Sequence, residues 1–219
     1  MKLTLIPAQY LEQSIQYPEL SLCRIVSQEK GLYRIISAEG DQLASVSGKF
    51  QHEAASPSYY PVVGDYVMAA LNGGAAVINR VLPRKSLFLR KSAGTARMEQ
   101  AVAANIDTVF ICMSLNSDFN LRRLERYLSV AWESGSLPVV VLTKADLCDN
   151  PVVKAAQAAS IAIGADVLVT SSMALDGYNQ ILPYISQGKT VAFVGSSGVG
   201  KSTLINRLLG EERLATNCL

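Results

Sequence analysis

The segment Gly195-Ser196-Ser197-Gly198-Val199-Gly200-Lys201-Ser202 fits G-x-x-x-x-G-K-[ST]. Glycines at this spacing let the backbone curl so that successive N–H groups point inward, and a helix starting at the lysine adds the positive end of its dipole. A polyphosphate is the guest that such a loop suits. Lys201 is the candidate catalytic residue, a point charge that reaches the β and γ phosphates, and the Ser202 hydroxyl is the candidate Mg²⁺ ligand. A glycine-rich turn can match such a pattern by accident, so the flanks decide. Here an apolar strand, Thr190-Val191-Ala192-Phe193-Val194, precedes the loop, and a helix from Lys201 to Leu209, stopped by Gly210, follows it.

Phosphate loops hold adenosine and guanosine nucleotides alike, so the base must be read elsewhere. Strand Val139-Val140-Val141-Leu142 ends in Thr143-Lys144-Ala145-Asp146, which resembles the N-K-x-D element of GTPases. There the Asp146 carboxylate would accept from guanine N1–H and the exocyclic amine, a donor pair that adenine lacks. The Lys144 stem would lie along the base plane with its charge in water. Thr143 stands where the pattern has Asn: it keeps a hydroxyl and loses an amide that braces the phosphate loop, so weaker base affinity is expected. Thr170-Ser171-Ser172, after strand Asp166-Val167-Leu168-Val169, resembles the S-A-x element whose backbone N–H touches guanine O6. A bare K-x-D is common on surfaces, and Ser and Thr are ordinary loop residues. Their weight comes from position, because loops that follow successive parallel strands emerge at one edge of one sheet.

Those loops need a sheet, and the second half of the chain supplies its pattern. Ile106 to Met113 reads as a buried strand, Leu121 to Leu128 places leucines at helical spacing, and Pro138 to Leu142 is a strand. A helix from Val152 to Ile163, strand Asp166 to Val169, a helix from about Tyr178 to Ser186 and strand Thr190 to Val194 follow. Strands apolar along their whole length, alternating with helices, predict a mostly parallel sheet covered on both faces. The first half reads differently. Short strands at 23–27, 32–36, 43–47, 66–70 and 75–78, broken by Glu29-Lys30-Gly31, Glu39-Gly40-Asp41, Pro61 to Asp65 and Asn72-Gly73-Gly74, predict a small β-barrel of the OB or SH3-like kind. The fold class is therefore α/β, a small OB-like barrel followed by a phosphate-loop domain. The expected division is an N-terminal tail at 1–21, the barrel at 22–83, a basic linker at 84–104 and the nucleotide domain at 105–219.

Composition excludes other classes. At 219 residues, 49% hydrophobic and 17% charged, the chain is too long and apolar for a disordered segment or a disulfide-stapled module. No apolar run nears the roughly 18 residues of a membrane span, and the start lacks a secretory h-region. The four cysteines, Cys23, Cys112, Cys148 and Cys218, form no CxxC pair, so a reducing cytoplasm is expected. The net charge of +2 is uneven: Arg80, Arg84, Lys85, Arg90, Lys91 and Arg97 put +6 into one stretch and leave −4 elsewhere. Such asymmetry suits either an anionic partner or a solvated linker.

The order of the elements is the reverse of an ordinary GTPase. Asp146 precedes Lys201 by 55 residues and 18 residues follow Lys201, which points to a circular permutation that keeps the sheet. On these and further residues the chain resembles the circularly permuted GTPases that depend on the small ribosomal subunit, the RsgA, YjeQ or EngC type. The matching segments are Val46-Ser47-Gly48-Lys49, Pro61 to Val67, Ala103 to Asp107, Asp118-Phe119-Asn120, Arg126-Tyr127-Leu128, Thr143 to Leu147 and Gly195 to Thr203. The resemblance spans about Leu22 to Leu219.

It implies a GTPase of late small-subunit (30S) maturation, with GTP or GDP and Mg²⁺ bound. The nucleotide-binding residues it implies are Thr143, Lys144, Asp146, Ser171, Ser172 and Gly195 through Thr203, that is Gly195, Ser196, Ser197, Gly198, Val199, Gly200, Lys201, Ser202 and Thr203. The barrel and the basic stretch would face ribosomal RNA, and His52 is an ordinary residue. A monomer without membrane attachment is expected. No D-x-x-G occurs, and the family's switch threonine, catalytic histidine and zinc ligands would follow Leu219. This chain is therefore expected to bind GDP or GTP and hydrolyse poorly, with zinc confined to a missing C-terminal domain. An RNA-binding module with a sensing or vestigial nucleotide domain, and an ATP-using phosphate-loop enzyme, are the alternatives.

Overall fold

Burial alternates along β2 (Leu32–Ile36) and β3 (Asp41–Val46), with Tyr33, Ile35, Ala44 and Val46 facing in. That period-2 pattern lets both strands wrap one apolar interior. With β1 (Ser21–Glu29), β4 (Tyr66–Asn72) and β5 (Ala75–Val81) they close a barrel in the order β1-β2-β3-β5-β4. β3 and β5 run parallel and the other neighbours antiparallel. A parallel pair needs a crossover. It passes through the short helix α2 (Gly48–Glu53), whose Ser47 cap accepts from the Phe50 N–H at 3.1 Å. This is the Greek-key barrel of an OB fold. The computed structural model describes residues 3, 5–29, 31–91, 99–171, 174 and 177–215. They form two compact units, Met1–Ile106 and Asp107–Leu219.

Two parts of the first unit depart from expectation. Residues 1–21 are not merely a tail: helix α1 (Ala8–Ser14) buries Tyr10 completely. Its ring stacks on Tyr66 at 4.0 Å, and its hydroxyl donates to Asn105 Oδ1 at 2.8 Å. Leu3, Ile36, Met68 and Leu82 complete this second core. Residues 84–104 are not a linker either, since β6 (Leu87–Lys91) and β7 (Glu99–Ala104) pair as an antiparallel ribbon. Arg84 is withdrawn from the basic stretch. Its guanidinium grips the fully buried Asp65 at 2.8 and 2.7 Å and also donates to the carbonyls of Ser58 and Tyr60. Burial raises the Asp65 carboxyl pKa, and the Arg84 hydrogen bonds pull it back down.

The second unit is a parallel sheet in the order β10-β9-β8-β11. The strands are β8 (Thr108–Ser114), β9 (Leu137–Thr143), β10 (Asp166–Val169) and β11 (Val191–Val194). Helices α3 (Leu121–Glu133), α4 (Pro151–Ile161) and α5 (Lys201–Leu209) alternate with them. β8 is buried throughout and β9 almost so, as the two central strands of a covered sheet must be. The helix expected at Tyr178 to Ser186 is a 3-10 segment, Asn179–Tyr184, because Pro183 inside it has no N–H to continue an α-helical ladder.

Candidate functional site

β11 runs straight into the glycine-rich loop, and α5 starts at Lys201. Gly195, Gly198 and Gly200 have φ of 144°, 76° and 97°, left-handed values that let the loop turn back on itself. Gly195 also admits no side chain, since a Cβ there would lie 2.2 Å from the Cys112 carbonyl oxygen. Val199 is buried among Phe110, Val139 and Val141 and anchors the loop to the sheet. No side chain caps the N terminus of α5, so its first N–H groups are left for a ligand or water. Ser196 is half-buried and Ser197 exposed in the loop, and Ser202 and Thr203 occupy the half-buried first turn of α5. The Lys201 ammonium crosses the loop and donates to the carbonyls of Gly195 at 3.0 Å and Ser196 at 2.6 Å. Beneath it, burial pushes the Cys112 thiol up to about 12, against a smaller opposing pull from Lys201, and keeps it neutral.

The loop after β9 meets this one. The Thr143 hydroxyl donates to the Val199 carbonyl at 2.5 Å, across 56 residues of chain, so the end of the base strand is tied to the phosphate loop. The brace expected to be lost with Asn is thus kept by the smaller side chain through a backbone acceptor. Lys144 takes a left-handed conformation, φ 57°, and turns the chain into a 3-10 segment, Ala145–Leu147, that presents Asp146 to solvent. The loop after β10 is stitched to it: Ala145 N–H donates to the Thr170 carbonyl at 3.2 Å and Thr170 N–H to the Leu142 carbonyl at 2.7 Å. Asp146 Oδ1 accepts from the Ser171 hydroxyl at 2.5 Å. Ser172 lies outside the described residues.

The structure therefore brings together Thr143, Lys144, Asp146, Ser171 and the loop from Gly195 to Thr203 on the carboxyl edge of one parallel sheet. The strands that carry them are consecutive in the chain but not all adjacent in space, for β8 lies between β9 and β11. The loop leaving β8 is a part of this edge that sequence reasoning flagged only at Asp118-Phe119-Asn120. Asn116 Oδ1 accepts from Ser114 Oγ at 2.8 Å and from Asp118 N–H at 3.0 Å, and Arg123 pairs with Asp118 at 2.7 Å. Lys154 of α4 closes the loop, donating to the Leu115 carbonyl at 2.6 Å with its ammonium 5.4 Å from the Phe119 ring centre. No local signal marks Lys154, whose partners are 35 to 39 residues away.

Chemically, a glycine-rich turn, an uncapped helix N terminus and one lysine suit a polyphosphate. An exposed carboxylate at a strand end suits a base edge with two adjacent donors. Among the described residues no three His, Cys, Asp or Glu side chains gather as a metal site. Ser202 fits a cation such as Mg²⁺, which takes most of its ligands from phosphate and water.

Comparison with known proteins agrees with this geometry. Residues 81–219 match the family model described as RsgA GTPase. The chain is 49% identical over 199 residues to small ribosomal subunit biogenesis GTPase RsgA 2 of Lactiplantibacillus plantarum, covering 90% of this chain and 56% of that protein. It is 43% identical over 206 residues to small ribosomal subunit biogenesis GTPase RsgA of Opitutus terrae, with the same coverage of 90% and 56%. The chain thus spans about half the length of these curated relatives. Among solved structures, YjeQ from Thermotoga maritima superposes with a TM-score of 0.68 at 27% identity, over 85% of this chain and 64% of that one. YloQ, described as a circularly permuted GTPase, superposes with a TM-score of 0.64 at 25% identity, over 87% and 64%. With a barrel, a rotated order of nucleotide elements and a family match over most of its length, the chain belongs to the RsgA GTPase family.

Proposed function

We propose that this chain binds GTP and GDP on the carboxyl edge of the second unit and serves in small ribosomal subunit biogenesis, with ribosomal RNA as a partner. The observation that carries the nucleotide reading is the Thr143 to Val199 hydrogen bond, because it holds the base loop and the phosphate loop at a fixed separation. The backbone of 195–200 cradles the β and γ phosphates, and Lys201 exchanges its two carbonyl partners for phosphate oxygens. Asp146, set by Ser171, accepts from the two donors of guanine. Ser202 would hold Mg²⁺, which neutralises phosphate charge when bound. The 219 residues contain no D-x-x-G, so slow hydrolysis is expected of them alone, on the order of 10⁻⁴ per second or slower, as for unassisted GTPases. Names of relatives that specify small ribosomal subunit biogenesis support the subunit as partner. The cations of residues 80–97 other than Arg84 supply phosphate contacts.

Two measurements test this. In displacement of a fluorescent guanine nucleotide, GDP should compete at least a hundredfold better than ADP; equal competition would remove the guanine reading. In sedimentation with purified small subunits, the chain should pellet more fully with a non-hydrolysable GTP analogue than with GDP. Absence from the pellet in both states would remove the ribosomal reading.

A further inference from the structure

The barrel presents an outer face on which β2, β3 and β5 lie side by side. Registers pair Arg34 with Leu43, and Leu43 and Ser45 with Ala75 and Val77. Leu32 and Leu43 are 52% and 58% exposed on this face, while Tyr33, Ala44, Ala76 and Ile78 point inward. Next to it, an open groove of about 560 Å³ runs between Arg34, Glu39, Asp41 and Leu43 and the β4–β5 turn at Gly73-Gly74. The two glycines leave its wall open, for a Cβ at either would meet nothing within 4 Å.

Charge on this face has the wrong sign for nucleic acid. Glu29, paired in register with Leu32, and Glu39 and Asp41 are exposed carboxylates. Arg34, the cation among the groove's described residues, is held by Asp41 through Nε at 3.0 Å and its terminal nitrogen at 2.9 Å. Lys30 lies outside the described residues. Among the described residues, no aromatic side chain lines the groove. Single-stranded nucleic acid on an OB barrel asks for a basic track and stacking rings, and this face supplies aliphatic groups rimmed by carboxylates. A closed barrel offers no strand edge there, so an added strand is not the mode of binding either.

We propose that the β2–β3–β5 face of the barrel docks a basic protein segment, with aliphatic side chains seated on Leu32 and Leu43 and lysine or arginine against Glu29 and Glu39. Apolar anchors with a complementary charged rim are the anatomy of such a contact. This goes beyond the nucleotide reading and does not rest on it.

The test uses the whole chain and two fluorescent probes at low ionic strength: a peptide of about twelve residues with two leucines among lysines, and an oligouridylate of similar length. The peptide should bind, and Glu39→Lys and Leu43→Ser should each weaken it about tenfold. Glu12→Lys, the same charge change on exposed α1, should leave peptide affinity within twofold. Oligouridylate affinity should be unchanged by Leu43→Ser. Failure of the peptide to bind, equal loss with Glu12→Lys, or loss of oligouridylate rather than peptide affinity in Leu43→Ser would overturn the proposal. GDP binding, read on the same samples, separates this failure from that of the nucleotide site.

Discussion

Thr143 shows how much a single side chain settles. Its place at the end of an apolar strand is plain in the sequence, as is its departure from Asn. That its hydroxyl reaches Val199 is not, because the acceptor lies 56 residues on and is brought near only by the strand order. Thr143→Val would orphan a buried carbonyl, which costs about 1–3 kcal/mol, and stopped-flow release of a fluorescent GDP should accelerate about tenfold or more. Thr143→Asn, which restores an amide, should keep the wild-type rate within a few fold. Gly195→Ala should be far worse, since the added methyl meets the Cys112 carbonyl at 2.2 Å in a backbone conformation that suits glycine. Guanine nucleotide binding in that variant should fall below detection by calorimetry. Cys23 and Cys112, buried in separate units, are pushed by burial from 9.0 to about 12. Between those values the unfolded chain loses protons that the folded chain keeps. The thiols' contribution is therefore complete below pH 9 and lost as pH rises towards 12. Thermal unfolding should hold steady up to about pH 9 and decline above it, less steeply in the Cys23→Ala, Cys112→Ala double variant.

At the scale of elements, strands and helices with strong local patterns were readable and those made by distant partners were not. β8, β9 and β11 announce themselves by continuous apolar runs, and α5 by its glycine-bounded ends. β7 does not: Glu99-Gln100-Ala101-Val102-Ala103-Ala104 has little β preference and becomes a strand by pairing with β6. α1 likewise looks like a tail until Tyr10 finds Tyr66 and Asn105, the latter 95 residues away. Arg84 reads as one more cation of a basic run, yet it neutralises a fully buried Asp65. Arg84→Ala would strand that carboxylate. The barrel should lose about 3 kcal/mol or more, seen as lost hydrogen-exchange protection in β1 and β4, whereas Lys49→Ala, at an exposed surface pair, should change protection little.

At the scale of the molecule, the rotated order of base and phosphate elements was legible because it depends only on which motif comes first. Parallel strands then place all of them on one edge whatever the connectivity. The spatial order was not legible, since nothing local says that β8 separates β9 from β11. The charge asymmetry was visible, but its availability was not. With Arg84 engaged, at most five cations of the 80–97 stretch can meet phosphate. Binding of single-stranded RNA by that stretch should follow log affinity against log salt with a slope no steeper than about −3.5. The most direct test of two loops meeting around one guanosine polyphosphate is the nucleotide preference of Asp146→Asn, measured by calorimetry with GDP and xanthosine diphosphate. Loss of GDP affinity by a hundredfold or more, with xanthosine diphosphate becoming the preferred ligand, is the predicted result. GDP affinity left unchanged by the substitution would contradict it.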